Sequence, residues 1–286
     1  MVFAQVPKTW DEKLLADWAT PIAALGARPG HFSETEYYKA PIDNLRTYPV
    51  YFPGREPAGY WEMLQKIGPK PLIEPTTLKT ETDWIRAGKR VFEELDVPAV
   101  RRLEPEIIKK ARNPETYAEW RGKPRPDGTI FDLRWVPTDK GVALGGTNCA
   151  ACHERLMPDQ TILHGAPPNE DGSPLAGDVF RWASSPIPLY GDTPPMSFWR
   201  SFSVPWMKDD VHEGMKAKSP PELTRITFRI GAAHGLFPRW NGSPYYTTKM
   251  PDLIGIKDRK YIDHTATHRH RGPGDVMRYA ALVTYS

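Results

Sequence analysis

The chain has 286 residues, 40% of them hydrophobic and 26% charged, enough to bury a core without disulfide staples. Lys plus Arg (38) nearly balance Asp plus Glu (35), so the charge pattern excludes a polybasic nucleic-acid or membrane footprint. Proline, at 31 residues, stands at about twice its usual share of ~5%, which with ten tryptophans marks a folded but loop-rich chain.

In chain order, residues 1–5 match the remnant of an export signal too short to act as one. Leu14, Leu15, Trp18, Ile22 and Leu25 recur at helical spacing. Residues 40–58 are rich in Pro, Gly and Tyr and suggest an extended arm; 59–67 suggest a short helix and 69–75 a linker. A capping box at Thr80–Asp83 opens a helix whose stripe is Trp84, Ala87, Gly88, Val91, Phe92 and Leu95. Gly88 costs such a helix about 1 kcal/mol against alanine, and a close helix–helix crossing would account for it. A second helix is expected over 98–112, with Arg101, Arg102, Lys109, Lys110 and Arg112 as a basic face. Alternation through 129–136 and 141–144 predicts a β-hairpin.

A further helix is expected over 148–157, followed by loop to 193. Phe198, Trp199, Phe202 and Trp206 then show helical spacing, and residues 224–230 alternate like a short strand. A last helix begins at Gly274–Asp275 and is still apolar at Ser286 without a C-cap glycine, which suggests a coding sequence that continues. No run of 18 apolar residues is present.

The chemistry concentrates at the only two cysteines, in Cys149-Ala150-Ala151-Cys152-His153. C-x-x-C-H is the attachment pattern of c-type haem. Thiols at i and i+3 of a helical turn face the same way and add to the two vinyl groups on one haem edge, and the adjacent imidazole reaches the iron. A thioredoxin-like pair wants a βαβ setting, and a structural zinc site wants two more ligands at suitable spacing.

With Ala87-Gly88-Lys89-Arg90-Val91-Phe92 ahead of it, this motif resembles that of the c-type cytochromes. The order of glycine–aromatic helix, long insert and Gly146-Thr147-Asn148-Cys149 is similar to the dihaem cytochrome c peroxidase and rubber-oxygenase-like superfamily, over residues 80–286. The resemblance implies a mainly α, cytochrome c-like helical haem domain at 80–286 with long Pro-rich loops and a short β-hairpin. Residues 1–79 form an unassigned N-terminal helix and arm. It implies one covalent haem c with its iron, an extracytoplasmic location such as the bacterial periplasm, a redox partner protein, and a possible second haem domain in a longer parent chain.

Cys149, Cys152 and His153 are the expected attachment and proximal residues. Met250, in Thr247-Thr248-Lys249-Met250-Pro251, resembles the loop that delivers the distal methionine in small cytochromes c. The other distal candidates are His164, His234 or an open position. His264, His268 and His270 form a weak metal cluster, and Arg269 or Arg271 suit a haem propionate. Trp182, Trp199, Trp206 and Trp240 are candidates for the haem wall. Ligation by His153 and Met250 implies electron transfer. The alternative is a peroxidase or oxygenase with an open or His164-ligated site.

Overall fold

The computed structural model describes residues 18, 34–39, 43–96, 98, 101–120, 122–146, 149–169, 175, 236–237, 248–249, 252–263, 266 and 268–284. Its helices are α1 (Glu34–Lys39), α2 (Tyr60–Ile67), α3 (Glu81–Glu94), α4 (Pro105–Ala111), α5 (Cys149–His153) and α6 (Pro273–Thr284). Its strands are β1 (Tyr48–Tyr51), β2 (Thr129–Thr138), β3 (Gly141–Gly146), β4 (Glu154–Leu156), β5 (Ile162–His164), β6 (Leu236–Phe237) and β7 (Thr248–Lys249).

The expectation of a mainly α chain is overturned. The described residues are 37% helix and 21% strand, and their strands form antiparallel sheets. The reason lies in two segments whose pairing partners are distant or hidden from periodicity. Tyr48–Tyr51, expected as part of an extended arm, pairs with β2 (Tyr48 opposite Trp135, Tyr51 opposite Thr129) through a bulge between Pro49 and Val50. The expected helix over 148–157 ends at His153, because Glu154–Leu156 pairs with Ile162–His164 instead.

The hairpin lies where alternation places it. β2 and β3 pair from Leu133↔Gly146 to Thr138↔Gly141. From this sheet Val50, Ile130, Leu133, Trp135 and Leu144 join Leu64 of α2 and Ile107 and Ala111 of α4 in one core. The segment before residue 80 therefore supplies β1 and α2 to the same core as β2 and β3. α4 is shorter than the expected 98–112 helix. Pro105 opens it, and the chain before it is held extended by paired backbone bonds between Arg102 and Leu144 (2.7 and 2.8 Å). Two of the residues expected on its basic face are engaged: Arg101 pairs with Asp96 and Asp43, and Arg112 with Glu56.

α3 begins as expected. The Thr80 hydroxyl accepts from Asp83 N–H (3.2 Å), and the Asp83 carboxylate accepts from Thr80 N–H (2.9 Å). Ala87 is buried and Trp84, Val91, Phe92 and Leu95 are half-buried. Gly88 differs from its expected place: it is exposed, and a Cβ there would meet nothing within 4 Å among the described residues. Thr80→Ala is expected to lower stability by about 1 kcal/mol at neutral pH, measured by denaturant unfolding. The Thr80 hydroxyl, with the Thr80 and Lys79 N–H groups, holds the Asp83 carboxyl below its usual range. That contribution is present above the unfolded value of about 3.9 and is lost as pH falls through the folded one. The stability difference between wild type and Asp83→Asn should accordingly shrink on acidification.

The expected helices around Leu14 and over 195–207, and the expected strand at 224–230, lie outside the described residues, apart from Trp18, which is buried. Among the described residues no helix is long and apolar enough to cross a membrane.

Candidate functional site

Two neighbours set the course of the chain into Cys149–His153. β3 ends in Gly145–Gly146, and both positions demand glycine: a Cβ on Gly145 would collide with the Asp96 carboxylate, and one on Gly146 with the Asp132 carbonyl. Asp96 lies just past Leu95, the C-cap of α3. Its buried carboxylate accepts from Gly146 N–H (2.9 Å) and from Arg101 Nε (2.5 Å). Burial pushes its carboxyl up, and the bonds from Arg101 and Gly146 oppose that shift. α3 is thus tied to the end of β3, and α5, which follows at once, packs against α3.

α5 is a single turn. At about 100° per residue, Cys149, Cys152 and His153 fall within one arc of about 100°, and Ala150 and Ala151 occupy the rest. Ala150 is 3% exposed, Ala151, Cys152 and His153 are half-buried, and Cys149 is exposed. No disulfide joins the two sulfurs. Partial desolvation pushes the Cys149 thiol up although the residue keeps solvent contact, the opposite of the lowered value a thioredoxin-type nucleophile requires. Two thiols one turn apart beside an imidazole, on one arc of a helical turn, are the donor set that a covalently attached haem with a histidine on its iron would need.

The exit from α5 is held as firmly. Gly165 N–H donates to the His153 carbonyl (2.6 Å), and Leu253 N–H donates to the Gly165 carbonyl (2.7 Å). Glu154, next to His153, is 1% exposed. Its Oε2 accepts from Arg125 (2.9 Å), and its Oε1 lies 2.6 Å from Nδ1 of His164, the residue opposite it in the β4–β5 ladder. The last turn of α3 adds Glu93: one donor atom each of Glu93, Glu154 and His164 lie within 4.8 Å of one another. His164, one of the expected distal candidates, is thus engaged through Nδ1 with a carboxylate that Arg125 also holds.

Met250, His234, His264 and the tryptophans Trp182, Trp199, Trp206 and Trp240 lie outside the described residues. His268 is fully buried, with Nδ1 beside Asp263 and its ring edge-on to Trp18 and Tyr279. His270 Nδ1 lies 2.9 Å from the Arg259 carbonyl. Among the described residues these two histidines do not converge on a third ligand. The Arg271 guanidinium donates twice to Asp275 (3.0 and 3.1 Å), so its fork is occupied by a carboxylate of the chain itself. Arg269 is exposed.

Sequence reasoning missed Arg125, Glu93 and Asp96. The first two stand 28 and 60 residues before His153, in a Pro-rich stretch and on a helix surface, with no local pattern to mark them. An acid placed directly after His153 was the one available signal. No protein-family model matches the chain, and no curated protein or solved structure matches it either.

Proposed function

We propose that the chain is an extracytoplasmic electron-transfer protein with one c-type haem, joined through Cys149 and Cys152, with His153 as proximal and Met250 as distal ligand. The observation that carries this reading is that both sulfurs and the imidazole fall on one arc of the single turn α5, while Ala150 is the residue it buries. When bound, the haem supplies one-electron exchange between Fe(III) and Fe(II), at a potential that a methionine ligand raises.

The residues of the chain hold and orient. Asp96 and the Gly145–Gly146 pair bring α5 off the end of β3. Gly165 fixes the carbonyl of His153 and with it the base from which the imidazole extends. Electron transfer is favoured over a His164-ligated enzyme by the single C-x-x-C-H in the chain, since an enzyme of that kind pairs its active haem with a second, electron-transferring one. A redox protein is the partner this reading calls for.

Optical spectra of the purified holoprotein test it. A low-spin ferrous spectrum that carbon monoxide leaves unchanged is expected. Met250→Ala is expected to convert it to a high-spin species that binds carbon monoxide. Ready binding of carbon monoxide by the wild type would favour an enzyme, and a variant spectrum identical to wild type would remove Met250 from the iron.

A further inference from the structure

A buried carboxylate follows the proximal ligand directly in the chain. Glu154 is bonded in sequence to His153, so their Cα atoms are about 3.8 Å apart. Its carboxylate is almost wholly removed from solvent, and its ion partner is Arg125, whose side chain is 25% exposed. Glu93 brings a second carboxylate to the same place from α3. Lys89 approaches Glu93 only to 3.7 Å with a side chain 67% exposed, where water and salt weaken its influence. Within this cluster the carboxylates of Glu154 and Glu93 meet the Arg125 guanidinium and the His164 imidazole, and buried Arg134 acts on Glu93 as well.

We propose that Glu154, with Arg125 as its counter-charge and Glu93 as a second contributor, sets the reduction potential of the haem held by His153. The inference rests on the haem-bearing reading above and adds to it a function for residues that neither attach the group nor ligate its iron. Oxidised iron carries one more positive charge than reduced iron. A fixed negative charge beside the proximal ligand therefore stabilises the oxidised form and lowers the potential, and a fixed positive charge does the reverse. Burial matters because mobile ions screen an enclosed charge far less than a surface one. His164 completes the arrangement by holding Oε1 of Glu154 while Arg125 holds Oε2, so the carboxylate cannot swing towards solvent.

The test is potentiometric titration of the holoprotein and three variants. Glu154→Gln and Glu93→Gln are expected to shift the midpoint upwards, and Arg125→Gln downwards. The Glu154 shift is expected to be the largest, on the order of tenfold in the ratio of reduced to oxidised protein at a fixed potential, about 59 mV. It should persist at high salt. Because the buried Glu154 also serves the fold, the half-buried Glu93 and the partly exposed Arg125 carry the test if Glu154→Gln does not fold. Midpoints that stay at the wild-type value, or that move in the same direction for Arg125→Gln as for the glutamate variants, would overturn the proposal and leave haem attachment standing. A wild-type chain without covalent pigment would overturn both.

Discussion

Serine at both Cys149 and Cys152 is expected to abolish covalent pigment. In a host able to mature c-type cytochromes, the wild-type chain should keep a haem-staining band through denaturing electrophoresis, and the double variant should show none. Each single variant should retain one thioether at most and stain weakly. The effect is all-or-none because no other cysteine exists to take over either bond. The geometry favours attachment for a simple reason: the helical turn that buries Ala150 keeps the two sulfurs and the imidazole on one arc. Wild-type protein that loses its colour on acid–acetone extraction would defeat the reading of α5 as an attachment turn, and with it the electron-transfer function.

Trp135→Ala is expected to be among the most destabilising single changes in the chain, at about 3–5 kcal/mol. The ring is completely buried. It stands opposite Tyr48 of β1 and Leu144 of β3, and Trp61 of α2 meets it edge-on at 5.0 Å, so three elements lose contacts at once. Arg112 covers Trp61 from outside at 4.5 Å and would be drawn into the disturbance. Denaturant unfolding checks the expectation. Trp135→Phe, which keeps much of the ring, should cost less. Ile85→Ala, at a position 66% exposed on α3, should stay within about 0.5 kcal/mol of wild type. Equal losses at positions 135 and 85 would mean that the sheet and α2 do not form the core described.

The two expectations concern different regions joined by a short path. Leu144, in the core with Trp135, precedes the Gly145–Gly146 pair, and α5 begins three residues later. A weakened core is thus expected to loosen the entry to the attachment turn, so haem incorporation in Trp135→Ala should fall along with its stability.

Features governed by neighbours a few positions apart are legible in the amino-acid order alone. The C-x-x-C-H spacing places two thiols and an imidazole on one turn, Thr80 and Asp83 cap a helix across three residues, and alternation through β2 and β3 makes a hairpin. Each is a contact between residues so close along the chain that type and spacing suffice to specify it. The rest depended on segments meeting across long stretches of chain. Tyr48–Tyr51 became a strand because β2, some eighty residues later, offered it an edge, and this moved the fold from mainly helical to mixed. The helix expected over 148–157 stopped at His153 because Glu154 paired across a ladder with His164. Asp96 beside Gly146, and Arg125 and Glu93 around Glu154, met across 29 to 61 residues of chain. Such encounters leave no periodic trace, since a charged residue obeys the same local propensities whether it ends in solvent or against a buried partner.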